Sequence, residues 1–577
     1  MKKIQYFFIA LLLMACISCN NANTTTSATG STSNAVVYYN GDIITMEGDS
    51  AKYAEAIVVK DGKIAFVGSK EGAVKEAGDG HTMTDLQGKT MLPGFIDPHG
   101  HFINALSMAS QANCSPPPVG PASDVSGIVA SLKDFQTKKN IPKGQLIMGY
   151  GYDDTQMPNG KLLNRDDLDA AFPDNPVMVI HVSLHGAVLN SMALKQFNFS
   201  DKTVTPPGGV IVRKPGTNEP YGLIMETAFL PVFANLPKPT PEQQLQQLKE
   251  GQMIYAEAGV TTAHEGATHK SDFEIIENGA KQNALFIDVV AYPFITDIKS
   301  ILPGHPFAEF GSYNNHLKLG GVKITTDGSP QGKTAFFTTP YLTGGPSGEK
   351  NWKGEPTFPQ DSLNEWVKWL YENKIQLIIH ANGDGAIDMV LKAHENACKA
   401  LNQPLDADRR TTVIHSQFVR KDQLEKYKQY NIIPSLYAEH TFFFGDAHIM
   451  NRGMQQASFI SPLNTTLKMG IPATNHTDFN VLPIDQMMVI WCAVNRTTRS
   501  GVVLGADERI TPFQALKCIT INAAHQYSEE NSKGSLTAGK LADLVLLDKN
   551  PLKVDPQSIK DIKIVETIKE GKTIYKK

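Results

Sequence analysis

Near the start of the chain stands the run Met91-Leu92-Pro93-Gly94-Phe95-Ile96-Asp97-Pro98-His99-Gly100-His101. Its apolar residues predict a buried strand, and two histidines stand at its end. Because side chains alternate along a strand, His99 and His101 are expected on the same face, about 7 Å apart along the chain. Two imidazoles that converge in this way suit one metal ion, and Gly100 between them removes bulk.

Three more polar residues follow predicted strands later in the chain. His380 and His415 each end a short apolar run, and Asp478 follows residues 472–477 at the end of a late strand. In α/β barrels the carboxyl ends of the strands build the active site. The pattern therefore predicts a metal site from these residues. Nitrogen and oxygen ligands without cysteine favour Zn²⁺, with Mn²⁺, Fe²⁺ or Ni²⁺ left open.

Strands and helices alternate through the middle of the chain, which predicts an α/β fold. A capping box at Thr240-Pro241-Glu242-Gln243 opens one helix, and Ser362 with Glu365 is expected to cap another. Near-continuous apolar strands indicate a parallel sheet. We favour a distorted (β/α)8 TIM-type barrel over residues 91–537 rather than an open doubly wound sheet. Residues 104–239 break the rhythm and are expected to form an inserted subdomain after the first strand.

Both ends of the body contain short strands. An Asp61-Gly62 pair predicts a hairpin, and Asn40-Gly41 predicts another turn. The last residues repeat this pattern of strands and turns. Residues 35–90 and 538–577 are therefore expected to assemble into one composite β-sandwich.

The N-terminus has the features of an export signal. Lys2 and Lys3 precede an apolar run that ends near Cys16 and Cys19, each of which follows a small residue. Residues 1–19 are similar to a bacterial lipoprotein signal lipidated at Cys16 or Cys19, with a plain secretory signal as the alternative. Residues 20–34 are expected to be a flexible tether. The predicted location is the bacterial cell envelope, lipid-anchored and periplasm-facing or exposed, with the anchor as the sole membrane contact.

Composition excludes several classes of protein. The 577 residues carry 54 Lys and Arg against 58 Asp and Glu, a net charge of −4, so no basic field marks a nucleic-acid partner. Six cysteines in a chain of this length rule out a disulfide-dense scaffold. The oligomeric state stays open.

Several motifs together resemble the amidohydrolase superfamily, in its branch of YtcJ-like and N-substituted formamide deformylase enzymes (amidohydrolase family 3). Besides residues 92–101, the motifs are Val322-Lys323-Ile324-Thr325-Thr326-Asp327-Gly328-Ser329, His380-Ala381-Asn382-Gly383-Asp384, His415-Ser416-Gln417 and residues 534–545. The resemblance spans about residues 36–575 and implies a distorted barrel with a composite β-sandwich. Asn475-His476-Thr477-Asp478 departs from the commoner Gly-Ser-Asp, and Tyr437-Ala438-Glu439-His440 departs from the usual segment of the branch.

The resemblance also assigns roles to residues. His99, His101 and Asp478 would hold the more buried metal, and His380 and His415 a second ion where one is present. Lys323, carboxylated by CO₂, would bridge the two ions; a lysine in a salt bridge near a strand end is the alternative. Substrate contacts are expected from three further residues, His185, Asn190 and His440.

The implied activity is metal-dependent hydrolysis of a C–N bond in a small amide or formamide. A divalent metal, with Zn²⁺ favoured and one or two ions possible, would activate water, and Asp478 would be the general base that later protonates the leaving amine. Hydrolysis of a cyclic amide or an ester at the same site is an alternative. Another is a lipoprotein that binds a metal or small ligand without turnover.

Overall fold

A computed structural model describes residues 35–577 of the chain. The predicted signal peptide (1–19), the tether (20–34) and the lipidation candidates Cys16 and Cys19 lie outside the described residues. Within residues 35–577, no helix has the length and apolar character needed to cross a bilayer.

One eight-stranded sheet, here called the terminal sheet, takes strands from both ends of the chain. Its order is Lys572–Lys576, Ile564–Lys569, Leu544–Leu547, Thr90–Pro93, Val36–Ile44, Tyr53–Lys60 and Lys63–Gly68, and Thr82–Asp85 also pairs with Val36–Ile44. The helix Lys70–Ala77 follows the strand Lys63–Gly68 in the chain. Thr90–Pro93 leads directly into the strand Phe95–Ile96 of the barrel, so the predicted metal-ligand run is anchored in both sheets.

The two predicted turns of the terminal sheet have different outcomes. Asp61-Gly62 forms the predicted hairpin, with both residues at positive φ and Lys60 paired with Lys63. Asn40-Gly41 is not a hairpin turn, so that prediction is wrong. The strand Val36–Ile44 runs through it, with a register irregularity between Tyr39 and Ile43, because both halves pair with the same neighbour.

The inserted segment has a six-stranded sheet of its own. Its order is Gly209–Arg213, Pro220–Glu226, Gly186–Leu189, Val177–His181, Ile147–Tyr152 and Ala112–Asn113. Its helices are Ile103–Ala109, Val125–Lys138, Arg165–Ala171, Ser191–Gln196 and Leu230–Ala234. All of these elements fall within or at the edge of the range predicted for the insertion.

The barrel strands form two five-stranded sheets. One contains Tyr313–Asn314, Leu317–Leu319, Asp288–Pro293, Val260–Thr268 and Phe95–Ile96; the other contains Val322–Thr325, Leu377–Ala381, Thr412–His415, Ile433–Leu436 and Thr474–Asn475. Apart from Tyr313–Asn314, neighbouring strands pair in parallel. A bridge between Phe294 and Lys323 joins the two sheets on one side. On the other side the backbone N–H of Asp478 donates to the carbonyl of His99 at 3.1 Å.

Helices separate these parallel strands, as the sequence predicted. The capping box at Thr240 is present, with Thr240 and Gln243 each accepting the other's backbone N–H. The predicted cap at Ser362 is wrong, because the helix begins at Gln360, directly after Pro359. The helices are Pro241–Glu257, Lys270–Lys281, Ile298–Ile301, Gln360–Glu372, Asp384–Leu401, Lys421–Tyr430, His440–Phe443, Gly445–Arg452, Met454–Ser458, Leu463–Lys468, Gln486–Asn495, Pro512–Cys518 and Ile521–Gln526.

A buried group of charges connects the terminal sheet to the barrel at the end opposite the histidines. We call it the basal charge cluster, and it consists of three acids and three lysines: Asp288, Glu529, Asp543, Lys318, Lys533 and Lys569. Lys569 of the terminal sheet lies 2.9 Å from Asp288 of the barrel and 3.0 Å from Asp543. Lys533 lies 2.5 Å from Asp288 and 2.7 Å from Glu529. Because each buried charge has an opposite partner, the cluster fixes one domain against the other.

Candidate metal centre

Four side chains from three separate parts of the barrel converge at the carboxyl ends of its strands. His99 Nε2 and His101 Nε2 lie 3.5 Å and 3.6 Å from Asp478 Oδ1. Lys323 Nζ lies 3.3 Å from His99 Nε2. His99 and His101 follow the first barrel strand, Lys323 lies on Val322–Thr325, and Asp478 follows Thr474–Asn475.

The spacing of these atoms suits a common metal ion. Ligand atoms bound at about 2.0–2.2 Å in a tetrahedral arrangement lie about 3.3–3.6 Å from one another. The distances from Asp478 Oδ1 to His99 Nε2 and to His101 Nε2 fall in this range. The donor set therefore fits a divalent cation.

The hydrogen bonding of His101 also suits a ligand. Its Nδ1 lies 2.7 Å from the carbonyl oxygen of Gly266. A carbonyl can only accept, so Nδ1 carries a proton and Nε2 of the neutral ring is the atom with a free lone pair. Metal-bound histidines are typically held by this kind of hydrogen bond on the other ring nitrogen. Strand Val260–Thr268, which contains Gly266, thus orients His101.

His415 and His380 lie beside the first group. Their ring centroids are 4.6 Å apart, and those of His415 and His99 are 5.6 Å apart. Ligand atoms of His99, His415 and Asp478 all lie within 4.8 Å of one another. Asn382 Nδ2 lies 3.0 Å from His380 Nε2, and Asp327 Oδ1 lies 3.4 Å from the same atom. The structure therefore brings together all six residues predicted to bind metal.

Burial and neighbouring charges set the protonation of the group. Burial lowers the pKa values of His99 and His415 well below their usual value, so both rings are neutral at neutral pH. Burial also lowers the pKa of Lys323 to about 7. For Asp478, burial alone would raise the pKa, but the hydrogen bond and charge of His101 outweigh it and the net shift is downward. For His101, burial alone would lower the pKa, but the hydrogen bond and charge of Asp478 outweigh it and the net shift is upward. His99, His415 and Asp478 are therefore in the forms that bind a cation, and a cation at His101 would replace its proton.

Two of these residues have an unusual backbone. His415 has φ 69° and Asp478 has φ 52°, in the left-handed region that residues other than glycine rarely adopt. Such conformations cost of order 1–3 kcal/mol and concentrate at functional sites. The surrounding hydrogen bonds compensate for this cost. Buried Asp97 accepts from Thr477 Oγ1 at 2.6 Å and from the His99 N–H at 3.4 Å, so it connects the first and last strand ends.

Two further histidines belong to this group. His264 lies against His99 with ring centroids 4.9 Å apart, and His476 Nε2 lies 3.1 Å from His415 Nδ1. Asp97 and Asp327 were not identified as site residues. Each lies in a quoted motif, but the contacts that define them come from distant segments, so the motif alone gave no signal of their role.

The three predicted substrate contacts lie in different environments. His440 is buried near the centre, with its ring 4.3 Å from Tyr437 and 6.5 Å from His415. His185 is largely exposed and pairs with Glu226 at 3.2 Å. Asn190 is buried and bonds to Val177 N, Ala193 N and Asn175 O. The structure therefore brings His440 to the centre, whereas the bonds of the other two stay inside the inserted segment.

A cavity of about 960 Å³ is lined by the inserted segment, by the loop that follows Asp478 and by the C-terminal residues between Lys560 and Lys577, but by none of the six residues predicted to bind metal. That loop contributes Phe479, Asn480 and Val481 to its wall, and the inserted segment contributes Tyr150 and Leu184 among others. Leu184 and Val481 are both exposed apolar side chains, with 63% and 48% of their surface accessible. A cavity of this size holds a small organic molecule.

Known proteins share this architecture. The chain is 26% identical to YtcJ of Bacillus subtilis (strain 168) over 554 residues, covering 94% of this chain and 99% of that protein. It is 25% identical to the N-substituted formamide deformylase of Arthrobacter pascens over 549 residues, covering 91% and 95%. An uncharacterized metal-dependent hydrolase from Pyrococcus furiosus has the same fold, with a TM-score of 0.69 at 23% identity, covering 90% of this chain and 100% of that one.

The family assignment rests on most of the chain. A model of the amidohydrolase family matches residues 82–575, a range that contains the barrel, the inserted sheet, four of the eight strands of the terminal sheet and most of a fifth. The match also includes each side chain of the convergent centre. The fold of a metal-dependent hydrolase and the donor set at the strand ends agree with it, and the chain belongs to the amidohydrolase family.

Proposed function

We propose that this metal-dependent hydrolase cleaves a C–N bond of the amide or formamide type. The observation that carries the proposal is the position of Asp478, whose carboxylate contacts the Nε2 atoms of both His99 and His101. A carboxylate at that place can both bind a metal and move a proton. The similarity to a deformylase supports the choice of bond.

A divalent cation, proposed to be Zn²⁺, would be held by His99, His101 and Asp478, and a second ion by His380 and His415. Carboxylated Lys323 would be a ligand shared by both. When bound, such a cation polarises a carbonyl group and lowers the pKa of water. Asp478 takes the proton from the attacking water and returns it to the nitrogen of the leaving amine. The new C–O bond forms when the water adds to the carbonyl carbon, and the C–N bond breaks afterwards, when the nitrogen receives the proton from Asp478; no redox partner is needed.

Lys323 is proposed to react with CO₂. A neutral amine adds CO₂ to form a carbamate and releases one proton, which replaces a poor metal ligand by an anionic one with two oxygens. The burial of Lys323 supports the proposal, because its pKa of about 7 leaves a substantial neutral fraction at neutral pH. An ammonium at 3.3 Å from His99 Nε2 would instead compete with a cation for that lone pair.

The substrate is proposed to be a small molecule with an apolar substituent, and no nucleic acid is expected. The apolar side chains of Leu184 and Val481 in the cavity beside the Asp478 loop support a binding place for that substituent. His440, with an unpartnered Nδ1 among the described residues, is placed to contact the polar part. Hydrolysis of a cyclic amide or an ester would use the same groups.

Metal analysis and a substrate screen test the proposal. Purified protein is expected to contain a divalent metal and to hydrolyse N-formyl or N-acyl amines. Asp478→Asn should reduce kcat at least about 100-fold, because a general base contributes about 10²–10⁴-fold. Asp422→Asn, which changes an exposed aspartate, is the matched control. Metal without turnover on any amide or ester would favour a metal- or ligand-binding lipoprotein, and wild-type kcat in Asp478→Asn would remove Asp478 from the mechanism.

An anchor in the bacterial cell envelope is proposed from the leader sequence. Cys16 or Cys19 would carry the lipid. Metabolic labelling with a fatty acid is expected to be lost in either Cys16→Ala or Cys19→Ala and kept in the other. Equal labelling of the double variant and the wild type would contradict the anchor.

A further inference from the structure

His264 is a buried histidine close to the centre that has no role in the proposed function. It lies on strand Val260–Thr268 and is 0% exposed. Its ring stacks on Tyr292 and stands edge-on to His99, with centroids 4.9 Å apart in the second contact. Its Nε2 is buried and has no hydrogen-bond partner among the described residues, and the same is true of His99 Nδ1.

A chain of hydrogen bonds fixes which nitrogen of His264 carries its proton. The hydroxyl of Tyr527 lies 2.7 Å from the carbonyl oxygen of Asp97, and a carbonyl cannot donate, so the hydroxyl proton points to Asp97. The same hydroxyl oxygen lies 2.7 Å from His264 Nδ1 and must therefore accept from it. Neutral His264 consequently presents a free lone pair at Nε2.

His99 requires a hydrogen-bond acceptor for its Nδ1 proton. If His99 Nε2 binds the metal, the proton of the ring is on Nδ1, and that N–H is buried without an acceptor. A buried donor left in this state costs about 1–3 kcal/mol. Both unpartnered atoms face Gly266: a side-chain carbon built there would lie 3.0 Å from His99 Nδ1 and 3.1 Å from His264 Nε2. The structure has no direct hydrogen bond between these two atoms. The missing side chain of Gly266 leaves space for the rings to move together or for one water to bridge them.

We propose that His264 is a positioning residue that accepts the Nδ1 proton of His99 and so directs His99 Nε2 to the metal. The inference rests on the metal site proposed above. Strand Val260–Thr268 then orients both ligands of the His-Gly-His run, since its Gly266 carbonyl already holds His101. This chain of hydrogen bonds, here called the relay, runs from Asp97 through Tyr527 and His264 to His99. Of these four residues, only His99 would bind the ion.

The test measures the affinity of the full-length protein for Zn²⁺ alone, by competition with a chelator and without substrate. A residue that hydrogen-bonds to a metal-bound histidine contributes about 10–100-fold to the affinity for the metal. His264→Leu should weaken binding by that amount. Tyr527→Phe should weaken it about 10-fold, because without the hydroxyl the His264 proton is free to move to Nε2, which can then no longer accept. The visible spectrum of the Co²⁺-loaded protein should change in both variants.

Tyr292→Phe is the matched control, because it also removes a hydroxyl from a ring packed on His264 while that hydroxyl bonds to Gln376 outside the relay. Its Zn²⁺ affinity should equal that of the wild type. Thermal unfolding of the metal-free proteins verifies that each variant is folded. Wild-type affinity in a folded Tyr527→Phe, or an equal loss in Tyr292→Phe, overturns the inference and leaves the metal site intact. A wild-type protein that binds no Zn²⁺ contradicts both this inference and the proposed metal site.

Discussion

Replacement of Lys569 by methionine tests whether the basal charge cluster holds the two domains together. Lys569 is 3% exposed and contacts Asp288 at 2.9 Å and Asp543 at 3.0 Å. The substitution leaves two buried lysines against three buried acids. Breaking a buried pair from one side costs about 3–5 kcal/mol, because a charge stays in the interior without compensation.

The expected result is a measurable loss of thermal stability. About 3–5 kcal/mol corresponds to roughly 3–4 °C in apparent Tm for a unit of this size, measured by scanning fluorimetry at one heating rate. The double variant Asp543→Asn/Lys569→Met should recover most of this loss, because it removes one charge of each sign. Lys553→Met, which breaks an exposed pair with Asp42, should change the Tm by less than about 2 °C.

The loss should also depend on pH. Burial raises the pKa of Asp543 even in the wild type, where Lys569 opposes the rise, so in Lys569→Met the pKa should rise further. A raised carboxyl pKa means that stability is present at low pH and is lost as pH rises through the folded value. The deficit of Lys569→Met should therefore be larger at pH 8 than at pH 5. A deficit no larger than that of Lys553→Met, or a double variant no more stable than the single one, would refute this reasoning.

Three further predictions concern the metal centre and the insertion. Removal of metal by a chelator should lower the apparent Tm, and added Zn²⁺ should restore it. An ion at about 1,000 times its Kd stabilises the folded state by about 4 kcal/mol. An unchanged Tm would count against a bound ion. Gly266→Ala should reduce Zn²⁺ affinity in the same competition assay, because the new carbon would lie 2.7 Å from His99 Cε1. Asn190→Ala should lower the Tm with little change in KM, because it removes three buried hydrogen bonds that contribute about 1 kcal/mol each. A raised KM at unchanged stability would support a substrate contact instead.

Local signals in the sequence predicted local structure well. The Asp61-Gly62 hairpin and the Thr240 capping box were predicted because a few adjacent residues determine each of them. Asn40-Gly41 was misread because the same dipeptide fits a bulge within one strand, and only the pairing with Tyr53–Lys60 distinguishes the two. The cap at Ser362 was misread because Pro359 already starts the helix.

In the candidate site, too, some residues could be predicted from the sequence and others could not. Histidines at strand ends could be predicted as a convergent group because parallel strands present their carboxyl ends at one edge. The supporting residues could not, since their partners are far away in sequence: Thr477 is 380 residues from Asp97, and Tyr527 is 263 residues from His264. The role of His264 depends on where one proton lies, which no spacing of residue types reveals.

The pairing of the two ends in the terminal sheet has a consequence for biosynthesis. Thr90–Pro93, which leads into the His99 run, is bordered on one side by Leu544–Leu547, a strand made more than 450 residues later. A ribosome will have finished nearly the whole polypeptide before that neighbour is available. Chains cut short by a premature stop codon before Leu544 therefore keep every proposed ligand yet lack three of the eight strands of the sheet that supports the first two. We expect quality-control proteases to remove them.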